Sequence, residues 1–203
     1  MQLFVLFFNF SMHKIKLFPE LSTPRLHLRR ISATDQAFIF KGMSDPNVVQ
    51  FYGSSYQTSG EAKSLMDWFE FIVDHGIGVW WGICLSDAPS KLIGACGIHD
   101  WEQQHHSAEL GFWLLPDYWH QGFMRECLQT LILFCFSDLK IHRLQARVQD
   151  GNIVSQQLLQ RVGFQREGVL RGAELKQDTY INLHLYARLA TDDHDLLNNT
   201  QLK

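Results

Sequence analysis

The sequence predicts a mixed α/β (α+β) fold, with a mostly antiparallel central sheet of about seven strands flanked by about four helices. Three observations carry this. Alternating apolar stretches of strand length recur along the chain, several of them separated by only a short turn. Two helical patterns sit together near the start, whereas a later one lies between strands that must then run parallel. A single-glycine turn in "LLPDYWHQGFMREC", residues 114–127, passes directly from a strand into a helix.

The elements follow in order. "LSTPRLHLRRI" alternates Leu26 and Leu28 with polar neighbours after Pro24, a strand pattern. Thr34 or Asp35 can cap a first helix through about Met43, which "SDPN" ends. Ser59, Glu61 and Ala62 open a second helix, with Leu65, Trp68, Phe69, Ile72 and Val73 at helical spacing. "GIGVWWGICL" and "KLIGACGIHDW" form a hairpin around "SDAPS", and "SAELGFWLLP" returns antiparallel through "EQQHH". From Phe123 to Leu139, Cys127, Leu128, Leu131, Ile132 and Cys135 give a helix with a broad buried face. "HRLQARVQ" is the parallel strand. "DGN" turns into a helix carrying Leu158, Leu159 and Val162, closed by Gly163. "FQREGVLRGAEL" and "DTYINLHLYARL" end the fold as a strand pair.

The 203 residues fit one domain, expected over 21–190, with 1–20 an extension outside the fold and 191–203 a polar tail. The opening apolar run is too short to span a membrane and lacks a basic n-region and a cleavage site. A net charge of −3 offers no footprint for nucleic acid or anionic membrane, and both are excluded as partners. Cys84, Cys96, Cys127 and Cys135 form no CxxC pair and lie in apolar stretches, as reduced thiols of a cytoplasmic protein would. "HDWEQQHH" gathers His99, Asp100, Glu102, His105 and His106, but its spacings match no zinc pattern. No metal is expected there; the cluster is read as lining an entrance beside Trp101.

The glycine turn is the chemical centre of the sequence. Backbone N–H groups at His120, Gln121, Gly122, Phe123 and Met124 form the start of a helix and have no partner within it. Together with the positive end of the helix dipole they suit a phosphate group.

The ordered set "TPRLHLR", "ELGFWLLPDYWHQGFMRE", "DGNIVSQQLLQRVGFQREGVLRG" and "DTYINLHLYARL" resembles the GNAT superfamily of N-acetyltransferases, over roughly Leu21 to Leu189. Within it the chain is most similar to the RimJ/RimL-type branch, whose members acetylate N-termini of ribosomal proteins. The resemblance implies a sheet splayed between the fourth strand, "SAELGFWLLP", and the fifth, "HRLQARVQ", with a bulge in "GFWLL". It implies acetyl-CoA as co-substrate, its pyrophosphate on the Gly122 turn and its pantetheine arm in the gap. Gly122 aligns with the glycine that the family requires; His120 stands where this branch usually has Gly, and Met124 where the wider superfamily has Gly or Ala. An N–H near Trp113 or Leu114 would then face the thioester oxygen. Asn152 would touch the pantetheine or order its loop, Ser155 would stand near the sulfur as proton donor, and Glu174 would be the general base, with Glu109 its rival. Tyr180 and Tyr186 are read as packing residues. The acceptor is expected to be a protein N-terminal amine; a small amine (polyamine, amino acid or aminoglycoside-like) and a non-catalytic acyl-CoA-binding module are the alternatives. A monomer or a homodimer fits equally.

Overall fold

The computed structural model describes residues 18–52 and 56–192. Its strands are β1 (Leu21–Ser22), β2 (Leu26–Arg30), β3 (Val79–Leu85), β4 (Ala88–Glu102), β5 (Ser107–Leu114), β6 (Arg143–Gln149), β7 (Gln165–Lys176) and β8 (Thr179–Leu189). Its helices are α1 (Gln36–Ser44), α2 (Pro46–Val49), α3 (Ser59–Asp74), α4 (Phe123–Ser137) and α5 (Ile153–Arg161). The strands form one sheet in the order β1-β2-β3-β4-β5-β6-β8-β7, and only β5 and β6 pair in parallel.

The expected order of elements is observed, with two additions. Leu21–Ser22 forms a separate short edge strand, and the chain then turns back through residues 23–25 to pair it antiparallel with β2, Leu21 opposite Leu28. "SDPN" does end α1, but it also starts α2. Asp45 Oδ1 accepts from the N–H groups of Asn47 and Val48, at 2.8 and 3.4 Å, and Pro46 occupies the first turn, where a missing N–H costs nothing. The β3–β4 hairpin is also tighter than "SDAPS" suggests, because Leu85 pairs with Ala88 across Ser86 and Asp87 alone.

Both faces of the sheet are covered. On one, Cys127, Leu128, Leu131 and Ile132 of α4 and Leu159 of α5 pack with Leu110, Leu114 and Leu144. On the other, Ile39 and Met43 of α1 and Met66, Phe69 and Ile72 of α3 enclose Trp80, Ala95 and Trp113. Each fully buried aliphatic side chain contributes roughly 1.5–3 kcal/mol. Of the expected extension, Phe18 lies edge-on to Trp81 at 5.7 Å, and the Pro19 carbonyl accepts from Trp81 Nε1; residues 1–17 and 193–203 lie outside the described residues. Among the described residues no helix is long and apolar enough to cross a membrane.

The splay lies between β5 and β6. Their ladder stops at Glu109–Gln145, while β5 continues to Leu114 against β4 and β6 continues to Gln149 against β8. The expected bulge in "GFWLL" is absent: β5 stays in register with β4 from Glu109–His99 to Leu114–Gly94. The extra residue sits in β4 instead, between His99 and Glu102, where Asp100 has φ 49°. The gap needs no bulge in β5 because its two edges follow different neighbours.

Candidate active site

Gly122 takes φ 78° as the residue before α4, a left-handed conformation that favours glycine. His120 is also left-handed, at φ 59°, and its side chain is exposed. A residue with a Cβ bears a steric cost in that conformation, and glycine does not. The first helical bond runs from the Glu126 N–H to the Gly122 carbonyl at 3.1 Å. None of the N–H groups from His120 to Arg125 donates to a partner among the described residues, so the turn presents the row of donors that a pyrophosphate requires.

A side-chain clamp absent from the sequence reading holds this turn. Arg25 Nε donates to Glu126 Oε2 at 2.6 Å, and Nη1 donates to the Gln121 carbonyl at 3.1 Å. The guanidinium lies over the Phe123 ring, 4.5 Å from its centre. Thr23 Oγ1 donates to Glu126 Oε1 at 2.6 Å. Burial raises the Glu126 pKa, but these bonds outweigh it and hold the carboxyl below the usual range.

The gap edge of β5 follows from its register. The Leu115 N–H donates to the Ile93 carbonyl at 3.0 Å, so by alternation Glu109, Gly111 and Trp113 exchange bonds with β4. The N–H and C=O groups of Phe112 and Leu114 therefore face the gap. Of the two donors expected from the sequence, Leu114 faces the gap and Trp113 does not; Phe112 takes its place. Both gap-side carbonyls are taken, Phe112 by the Tyr52 hydroxyl at 3.0 Å and Leu114 by Trp119 Nε1 at 2.8 Å. Burial pushes the Tyr52 phenol well above its usual pKa, so it remains a donor.

Two cavities adjoin the gap. The inner one, about 210 Å³, has Tyr52, Trp80, Glu109, Asn152, Ser155 and Glu174 in its wall. The outer one, about 590 Å³, is bounded by Asp100, Trp101, Glu102, Glu109, Arg147 and Leu170, among others. Among the described residues, only Glu109 and Arg147 line both. Glu109 is 7% exposed; its Oε1 accepts from Arg147 Nε at 2.8 Å and its Oε2 from Gln145 Nε2 at 3.4 Å. The hydrogen bond to Glu109 makes the Arg147 guanidinium still more basic than usual, against the opposing effect of burial.

Local structure places the remaining candidates. Asn152 caps α5, its Oδ1 accepting from the Ser155 N–H at 3.2 Å, which sets Ser155 one turn in and against the inner cavity. Gly163 at φ 88° closes that helix: its own N–H bonds the Gln160 carbonyl and the Phe164 N–H bonds that of Leu159. Glu174 is half-buried and follows an irregular stretch of β7 after Leu170, where the Gly172 N–H donates to Asn182 Oδ1 at 2.9 Å. Lys176 then reaches over to the Gln50 carbonyl at 2.6 Å and the Val49 carbonyl at 3.3 Å, anchoring this hairpin to the end of α2. Trp80 lies across Gly97 and Gly111, paired residues of β4 and β5; a Cβ on Gly111 would stand 2.6 Å from its Cζ2.

Of "HDWEQQHH", His99 borders the inner cavity and Asp100, Trp101 and Glu102 the outer, while His105 and His106 are exposed. Among the described residues no group of three or more His, Cys, Asp or Glu side chains could hold a metal ion. Tyr186 is core, as expected; Tyr180 is not, being 72% exposed near the end of the last hairpin. Ser155, Glu174, Glu109 and Asn152 are thus brought to one cavity. The sequence reading missed Tyr52, Arg147 and the Arg25–Glu126 clamp, because each acts across a sequence separation that only the folded sheet closes.

The sequence pattern of the acetyltransferase (GNAT) domain matches residues 25–165. The chain is 34% identical over 172 residues to the uncharacterized N-acetyltransferase YoaA of Bacillus subtilis, covering 84% of this chain and 97% of that one. It is 33% identical over 99 residues to the ribosomal-protein-serine acetyltransferase of Escherichia coli, covering 49% of this chain and 55% of that protein. Among solved structures, the spermidine N-acetyltransferase of Vibrio cholerae in complex with CoA and spermine superposes with a TM-score of 0.74 at 20% identity, over 84% of this chain and 98% of that one.

Proposed function

The chain belongs to the acetyltransferase (GNAT) family and is an acetyl-CoA-dependent N-acetyltransferase, and from that premise we propose that its acceptor is the α-amine of a protein N-terminus, in the manner of the RimJ/RimL-type branch. One observation carries the reading: two cavities that meet at Glu109 and Arg147, one with Glu174 and Ser155 in its wall and the other of about 590 Å³, roomy enough for the first residues of a chain. The partial match to a ribosomal-protein-serine acetyltransferase supports the same class.

The free N–H row from His120 to Arg125 holds the pyrophosphate, with Gly122 admitting it to the backbone. The pantetheine lies along the β5 edge, Asn152 ordering the facing loop. The amine nitrogen attacks the thioester carbon and gives its proton to Glu174, directly or through water. Charge gathers on the thioester oxygen, where the N–H groups of Leu114 and Phe112 are placed to meet it; one such donor is worth about 3 kcal/mol. The carbon–sulfur bond then breaks, and the thiolate is protonated through the Ser155 hydroxyl, which takes its replacement proton from a water in the cavity at the same time. Glu109, with an acceptor bond at each oxygen, is the less available base.

A polyamine acceptor is the second reading, favoured by the carboxylates of Asp100 and Glu102 at the outer cavity. The spermidine enzyme's likeness, at 20% identity, supports the fold alone. The free, buried cysteines suit a cytoplasmic setting. Release of free thiol across a panel of amines tests the proposal. Peptides with an open N-terminus should turn over, and the same peptides with a blocked one should not. Faster turnover of spermidine than of every peptide would overturn it; coenzyme binding without thiol release from any amine would leave a binding module.

A further inference from the structure

The Glu109–Arg147 pair stands where the two cavities meet, since among the described residues these two alone line both. It also stands at the point where β5 and β6 part: Glu109 belongs to the last rung of their ladder, Glu109–Gln145, and Arg147 lies two residues past it on β6. It therefore borders both the space walled by Asp100 and Glu102 and the space walled by Ser155 and Glu174.

Arg147 binds Glu109 through Nε only. Its Nη1 and Nη2 have no partner among the described residues, and its side chain is 40% exposed. The guanidinium is therefore a fixed cation with an unfilled pair of donors in a passage whose other charged walls are the carboxylates of Asp100, Glu102, Glu109 and Glu174. A ligand that matches this arrangement has an ammonium for the carboxylates and an oxygen acceptor close to it for the guanidinium. An α-amino acid residue has this form: its carbonyl oxygen lies two bonds beyond the carbon that bears the amine. A polyamine does not, because it carries only donors and further positive charge, which Arg147 repels.

Resting on the N-terminal reading above, we propose that Arg147 is a specificity-determining residue that binds the acyl oxygen of the acceptor's first residue and excludes polycationic amines. The acceptor class is then an amine with a carbonyl or carboxylate on the adjacent carbon, a peptide N-terminus or a free amino acid. Selectivity comes from one group that attracts the right ligand and repels the wrong one.

The test compares wild-type protein with the Arg147→Met and Arg147→Lys variants, each saturated with CoA. Calorimetry gives the dissociation constants of a short peptide with a free N-terminus and of spermidine; initial rates with acetyl-CoA follow. Arg147→Met should weaken the peptide about tenfold and tighten spermidine, inverting or erasing the preference. In turnover it should raise the peptide KM with kcat changed much less. Arg147→Lys should restore part of the peptide affinity, since it keeps the charge but loses the fork. A distortion caused merely by freeing Glu109 would weaken both ligands together. An unchanged peptide-to-spermidine ratio in Arg147→Met, or a wild-type preference for spermidine, would overturn the proposal. The binding arm does not depend on turnover: a shifted binding ratio without acetyl transfer would remove the enzymatic reading of the acceptor and leave the role of Arg147 standing.

Discussion

Arg25 Nε meets Glu126 Oε2 at 2.6 Å, joining the entrance of β2 to the first turn of α4 across 101 positions of sequence. The same guanidinium holds the Gln121 carbonyl, so it points the loop's carbonyl away from the free N–H row and leaves that row for an anion. Arg25→Ala should raise the KM for acetyl-CoA about tenfold, the worth of roughly 1.4 kcal/mol, while kcat moves little. Stability should fall by only about 1 kcal/mol, because the ion pair is partly exposed and screened. Steady-state kinetics with acetyl-CoA varied, beside a urea melt, separates the two effects. A fall in kcat with unchanged KM would refute the clamp's role.

A second ion pair makes stability depend on pH in the acid range. Arg29 donates to both oxygens of Asp35 at 2.8 Å, and Ser32 adds bonds from its N–H and its hydroxyl. Burial raises the Asp35 pKa, but these bonds outweigh it and hold the carboxyl below its ordinary 3.8. With the folded value depressed, the contribution is complete above the unfolded pKa and is lost as pH falls through the folded one. Asp35→Asn should cost about 3 kcal/mol at neutral pH by leaving a half-buried guanidinium unpaired. The gap between variant and wild type should narrow below pH 4, as the wild-type carboxylate takes up its proton. Denaturant melts at pH 7 and pH 3 measure it, and an equal gap at both would refute the assignment.

Gly97 and Gly111 offer a flat strip of sheet on which the Trp80 indole lies. Gly111→Ala places a methyl 2.6 Å from Trp80 Cζ2, and neither the sheet backbone nor the indole can yield without repacking Phe69 and Trp68, which touch it. A loss of 1–3 kcal/mol, roughly that of an overpacked core, is expected. Because Trp80 borders the inner cavity, the acceptor KM should rise more than that for acetyl-CoA. Indole fluorescence together with the two KM values reports both consequences.

Local signals made much of this legible. The Gly122 turn and the Gly163 closure are each written in a few adjacent residues, because backbone conformation and capping are short-range physics. The splay and its edge were reached only through resemblance, and the bulge that came with them was misplaced: pairing register depends on partners that the strand itself does not encode. Tyr52 lies 60 residues from the carbonyl it holds, and Arg147 lies 38 residues from Glu109. No periodicity marks such residues, since each is an ordinary polar side chain until the sheet brings its partner alongside.

Glu174 and Glu109 share the inner cavity, and their surroundings distinguish their roles. Glu109 is nearly buried, with Arg147 on one oxygen and Gln145 on the other, so its charge is spoken for by the sheet around it. Glu174 is half-buried with no hydrogen-bond partner among the described residues, which leaves its oxygens open to an amine or an intervening water. Glu174→Gln keeps the shape and removes the basic oxygen. Turnover should drop by 10²–10⁴, the range for loss of a general base, while the dissociation constant for CoA stays within about twofold, since binding free energy is spent elsewhere. Glu109→Gln should weaken folding by freeing Arg147, and cut turnover less. Rates of both variants over pH, with CoA affinity by calorimetry, decide between them. Full activity in Glu174→Gln would move the base to Glu109, and the pH profile of that second variant would then lose its acid limb.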